Sequence, residues 1–150
     1  MPGAIQIPDQ YSYVLAAATS TFFINTFHMV RTSKFRKLSG IKYPASYATT
    51  EQAEKDPNAF KLNCAQRAHA NFTENLTPFL GALFIAGLSS PVAASALGAT
   101  WAVSRVVYLL GYTSDSGPKG RTTGSIGAAL TDLALKFMAA YTCYTLVSGN

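Results

Sequence analysis

Charged residues are absent from three long stretches of this chain: Tyr11 to Val30, Asn75 to Ser104, and Phe137 to Asn150. A helix that crosses a bilayer needs about 20 predominantly apolar residues. The pattern therefore predicts an all-α, single-domain chain with four membrane-spanning helices, over about 11–30, 62–88, 92–112 and 124–147. Tyr11 and Tyr13 suit the headgroup region at the start of the first span. No lysine or arginine precedes that span, so it lacks the basic flank of a cleaved signal peptide and is expected to be retained. The second span is polar in its first half (Asn63, Gln66, Arg67, His69, Asn71, Glu74, Asn75) and apolar from Phe79 to Leu88. Pro78 lies between the halves and is expected to kink the helix. Ser89-Ser90-Pro91 is a very short turn, so the third span runs antiparallel to the second. The polar stretches 31–61 and 113–123 are read as loops broken by glycine and proline.

Composition sharpens this picture. Charged residues make up 13% of the chain, against about 25% in soluble domains. That deficit argues against a soluble enzyme, a disordered tail and a disulfide-rich secreted module. The net charge of +5 has a membrane explanation and implies no nucleic acid. Arg31, Lys34, Arg36, Lys37, Lys42, Lys55 and Lys61 fall in the first loop and its flanks, and Lys119 and Arg121 in the third. The termini and the second loop carry none. The positive-inside rule places both basic loops in the cytosol and both termini on the other side. Cys64 and Cys143 are then expected at opposite membrane faces, too far apart for a disulfide.

Three basic residues remain inside the spans: Arg67, Arg105 and Lys136. Arg67, Asn71 and Glu74 are spaced i, i+4, i+7 on one face of the second span. Arg105, Tyr108 and Tyr112 are spaced i, i+3, i+7 on the third, with Trp101 one turn earlier. Opposite charges and an amide at membrane depth are costly facing lipid, so these faces are expected to line a polar site. Counted from the cytosolic face, Arg67 and Arg105 both lie roughly 8 to 10 Å deep. The two faces converge there, beneath the basic loops. Arginines suit carboxylates through bidentate forks. Glu74 suits an ammonium group, Asn71 a peptide amide, and the tyrosines supply hydroxyls. A small peptide with two carboxylates and a free amine meets this set, and glutathione is the cytosolic candidate.

Other polar positions receive simpler readings. Asp132 and Lys136, i and i+4 on the fourth span, form a self-neutralising pair. His28 and His69 are packing or hydrogen-bonding residues. The sequons at Asn71 and Asn75 lie at membrane depth and are expected to carry no glycan. No metal-ligand spacing, phosphate loop or nucleophile elbow occurs, so no metal is expected.

The run Asn63-Cys64-Ala65-Gln66-Arg67-Ala68-His69-Ala70-Asn71-Phe72-Thr73-Glu74, followed by Pro78-Phe79-Leu80, resembles the second-helix signature of the MAPEG superfamily. Its core is Arg-x-x-x-Asn-x-x-Glu. Lys42-Tyr43-Pro44 and the stretch from Trp101 through Arg105 and Tyr108 to Gly111-Tyr112 add to the likeness. Within the superfamily these residues resemble the branch of type-three microsomal glutathione S-transferases. The resemblance spans nearly the whole chain. It implies a homotrimer of four-helix subunits in the endoplasmic reticulum or mitochondrial outer membrane, surrounded by membrane lipids. It implies glutathione as co-substrate, bound between subunits by Arg36, Arg67, Asn71, Glu74, Arg105, Tyr108 and Tyr112. It implies transfer of the thiolate to lipophilic electrophiles, or reduction of lipid hydroperoxides, with Arg121 and Tyr108 at the thiol. Asn75 stands where some leukotriene-forming relatives have tyrosine, which argues against leukotriene synthesis. A non-catalytic lipid-binding protein or an accessory membrane subunit of the same fold is the alternative.

Overall fold

A computed structural model describes residues 7–149 and shows helices without strands. The elements are α1 (Tyr11–Ser39), α2 (Thr50–Lys55), α3 (Pro57–Ser89), α4 (Pro91–Tyr112), a 3-10 turn (Gly117–Lys119) and α5 (Thr122–Ser148). The helices outrun the expected spans. α1 continues nine residues past Val30 and stops at Gly40, whose φ of 67° is the left-handed conformation that favours glycine. The first loop is correspondingly shorter than expected and contains α2. A Thr49–Gln52 capping box starts that helix, each residue's side chain bonding the other's backbone N–H.

Asp56 caps α3 by accepting from the Asn58 amide at 2.8 Å, and Pro57 fits the first turn, where no donor is needed. α3 continues through Pro78 as one 33-residue helix. Only Ser90 separates it from α4, because Pro91 opens the next helix and forces the reversal.

The four long helices pack side by side: α3 and α4 touch each other, and each touches both α1 and α5. Their core is Val14, Phe72, Phe79, Leu83, Trp101 and Leu135, with small residues such as Ala17, Ala86 and Ala94 letting the helices approach. The Phe79 and Trp101 rings stack with centroids 3.7 Å apart. At the other end, Lys61 Nζ meets Asp115 Oδ1 at 2.6 Å and Arg31 Nε donates to Thr113 Oγ1 at 2.5 Å. These bonds tie the loop after α4 to α3 and α1. Asp115 is held below the usual carboxylate range by its bond from Lys61.

Outward faces are apolar. Phe23 is 73% exposed and Phe137 69%, alongside Phe22, Val103, Leu130 and Tyr144. Such a belt is unfavourable in water and ordinary in lipid. α4 and the segment Gly117–Ser148 are long and apolar enough to cross a membrane, with mean hydropathies of 1.3 and 1.2. Among the described residues these are the two segments that meet that standard; α1 and α3, which carry more polar residues, do not.

Candidate functional site

The antiparallel register of α3 and α4 builds the site. Cys64 and Ala68 of α3 pack on Tyr108, Leu109 and Tyr112 of α4. One turn further along, Arg105 Nη2 donates to Asn71 Oδ1 at 2.8 Å. The helix faces singled out by spacing therefore meet directly at Asn71 and Arg105.

Arg105 is only 3% exposed. Its guanidinium lies 4.6 Å from the Tyr108 ring centroid and 5.6 Å from that of Trp101. Aromatic faces and one amide oxygen offset part of the cost of burying this cation. Its Nε has no hydrogen-bond partner, and no carboxylate pairs with it among the described residues. A buried cation in this condition is suited to receiving an anion.

Arg121 reaches the same face from the start of α5. Its Nη1 donates to Tyr108 Oη at 3.0 Å, and the guanidinium sits 4.9 Å from the Tyr112 centroid. The Tyr108 bond holds the guanidinium even more firmly protonated than usual. The placement depends on glycine. A Cβ on Gly124 would collide with the backbone of Ser104 and Tyr108, and one on Gly111 with the backbone of Gly120. Without side chains there, the start of α5 lies directly against α4.

Arg67 and Glu74 pair along α3 at 3.2 Å, with side chains 49% and 53% exposed. Both groups are open on the surface of α3 beside Asn71, where an incoming ligand can engage them.

Arg36 is placed elsewhere. Its Nη1 donates to the carbonyls of Ile41 at 3.3 Å and Ala45 at 2.7 Å, and its Nη2 to that of Ser46 at 3.1 Å. Tyr43 covers it, with the ring centroid 4.4 Å away. Gln66 Nε2 donates to the same Ser46 carbonyl at 2.7 Å, and Asn63 exchanges two hydrogen bonds with the Ala48 backbone. Arg36 thus folds the first loop onto α1, and α3 holds it from the other side. The structure does not bring Arg36 into the group around Asn71 and Arg105.

A cavity of about 350 Å³ lies between α3, α4 and α5; of the expected site residues, Asn71 and Arg105 line it, and Arg67, Glu74, Tyr108 and Tyr112 do not. Asn75 and Trp101 line it as well, and Asp132 lines it from α5. Asp132 does form the expected bond to Lys136, Nζ to Oδ2 at 2.5 Å. The pairing with Lys136 along the same helix gives no sign that Asp132 also forms a cavity wall. Ser125, Ala128 and Asp132 repeat the i, i+3, i+7 spacing that identified the α4 face, and that signal would have found it.

His28 is fully buried, with its ring stacked on Phe72 at 4.9 Å, and His69 Nε2 shares a 2.9 Å hydrogen bond with Asn25 Oδ1. Among the described residues no cluster of three or more metal-ligating side chains occurs. The family model for MAPEG matches residues 14–141, which include every site residue described above. That match covers most of the chain, and the protein belongs to the MAPEG family, which includes glutathione transferases and peroxidases.

Proposed function

We propose that this protein is a membrane glutathione transferase of the type-three microsomal kind, which conjugates glutathione to lipophilic electrophiles and reduces lipid hydroperoxides. The observation that carries the reading is Arg105: a buried guanidinium without a carboxylate partner, bonded to Asn71 and set beside the Tyr108–Arg121 pair. Arg67 and Arg105 take the carboxylates of glutathione, Glu74 its ammonium group and Asn71 a peptide amide. Tyr112 closes the face. Arg36, engaged by its own loop, is left out of the set.

The chemistry follows from charge. A free thiol has a pKa of about 8.5 and is mostly protonated at cytosolic pH. Arg121, fixed by Tyr108, stabilises the thiolate and raises its fraction. Glutathione arrives from the cytosol and the acceptor from lipid, so proximity supplies much of the remaining rate.

The functional unit is a homotrimer with four spans per chain. The basic loops face the cytosol and both termini the opposite side, in the endoplasmic reticulum or the mitochondrial outer membrane. The deciding experiment is calorimetry of glutathione binding to the purified protein in lipid nanodiscs, followed by difference absorbance of the bound thiolate. Binding with a thiolate band at neutral pH supports the enzyme. Absence of binding would favour a non-catalytic lipid-binding role.

A further inference from the structure

The cavity between α3, α4 and α5 contains a group that glutathione binding does not use. Asp132 is the only carboxylate in its lining. Lys136 occupies Oδ2, while Oδ1 is buried and has no hydrogen-bond partner. A buried acceptor in that state favours a partner that brings a donor. The cavity adjoins both solvents of the reaction. Arg105 and Asn71 connect it to the glutathione face, and Leu133, 51% exposed in the outward apolar belt, connects it to lipid.

We propose that this cavity is the acceptor subsite and that Asp132 selects acceptors bearing a hydrogen-bond donor, above all the terminal O–H of a lipid hydroperoxide. The proposal rests on the glutathione reading above and specifies its second substrate. A saturated chain makes no use of the unpartnered oxygen, and a carbonyl or carboxylate is repelled by it. A hydroperoxide donates its O–H to Asp132 and presents its inner oxygen to the cavity that Arg105 lines.

In that pose the glutathione thiolate attacks the terminal oxygen. A sulfur–oxygen bond forms and the O–O bond breaks, leaving its electron pair on the inner oxygen as an alkoxide. Sulfur is oxidised to a sulfenic acid and the hydroperoxide is reduced. The alkoxide takes from water a proton equivalent to the one the thiol released. A second glutathione thiol then converts the sulfenic acid to a disulfide and water. Asp132 positions the substrate throughout and exchanges no proton.

The test compares kcat/KM for cumene hydroperoxide with that for 1-chloro-2,4-dinitrobenzene, which has no donor, in nanodisc-embedded protein. Asp132→Leu with Lys136→Met removes the acceptor without stranding the lysine. Asp132→Asn with Lys136→Gln keeps an amide oxygen in place. The hydroperoxide-to-dinitrobenzene ratio should fall about tenfold in the first double variant, the equivalent of one lost hydrogen bond, and recover most of its value in the second. A ratio within about twofold of wild type in the first variant overturns the proposal, as does an equal fall in both. Wild-type protein that binds no glutathione overturns the parent reading, and this one with it.

Discussion

Arg121 Nη1 and Tyr108 Oη stand 3.0 Å apart, joining the start of α5 to the middle of the polar face of α4. The bond converts a loop arginine, which would otherwise sample many rotamers, into a charge fixed above that face. Preorganised charge of this kind stabilises an anion without reorganisation when the anion forms.

Replacing Arg121 with alanine should therefore raise the pKa of bound glutathione towards its solution value. Each unit of that rise is worth about 1.4 kcal/mol. Turnover should fall much more than affinity, since the carboxylate and ammonium contacts remain. A pH titration of thiolate absorbance in wild type and variant is the measurement. If the titration is unchanged while Arg105→Ala abolishes turnover, the activating role belongs to α4.

Arg67 and Glu74 allow stability and binding to be separated. Their pairing is half exposed, and such pairs contribute about 0 to 1 kcal/mol. Glu74→Gln should leave thermal unfolding almost unchanged yet weaken glutathione binding by about 2 to 4 kcal/mol, through loss of the ammonium partner. Calorimetry that finds wild-type affinity in both Glu74→Gln and Arg67→Ala removes this pair from the site.

Gly124 should tolerate no side chain. Gly124→Ala forces α5 away from the Tyr108 backbone and is expected to cost about 1 to 3 kcal/mol, moving Arg121 with it. Gly81→Ala is the control: nothing lies within 4 Å of its added Cβ, and helix propensity favours alanine by about 1 kcal/mol. Thermal unfolding should separate the two variants, and equal melting temperatures would contradict the close contact.

The orientation is testable with single cysteines. Ser46→Cys and Ser148→Cys, each made with Cys143→Ser, are both at exposed positions and differ in expected side. A membrane-impermeant maleimide applied to sealed microsomes should label the first and spare the second until detergent is added. Labelling of both, or of the second alone, refutes the orientation.

Much of this arrangement was legible in the sequence because membrane burial constrains charge so severely. The spacing of Arg67, Asn71 and Glu74 against Arg105, Tyr108 and Tyr112 required a common polar face, and the bond between Asn71 and Arg105 joins the two. The extension of α1 to Ser39 was not legible from hydropathy. Hydropathy records where lipid contact ends, whereas the hydrogen-bonded ladder continues until a left-handed residue stops it, here Gly40. The Thr49–Gln52 box was present as a Thr-x-x-Gln spacing but lay within a stretch read as loop. Arg36 entered the expected set through the family resemblance, and sequence carries no sign of the backbone carbonyls of Ile41, Ala45 and Ser46 that it bonds within one chain. Asp132 was judged by its neighbour on the same helix, while its third-dimension partners lie on α3 and α4.

α3 carries the Arg67–Glu74 face and the apolar run Phe79 to Leu88 on one continuous helix of 33 residues, about 50 Å long. The apolar half settles at whatever height the surrounding hydrocarbon dictates, and the polar half follows it rigidly. On the proposed reading, a thinner bilayer would lift the glutathione site towards bulk water, and a thicker one would draw it towards the acyl chains. Bilayer thickness would thereby become an input to the proposed chemistry, setting how wet the site is and how readily each co-substrate arrives from its own solvent.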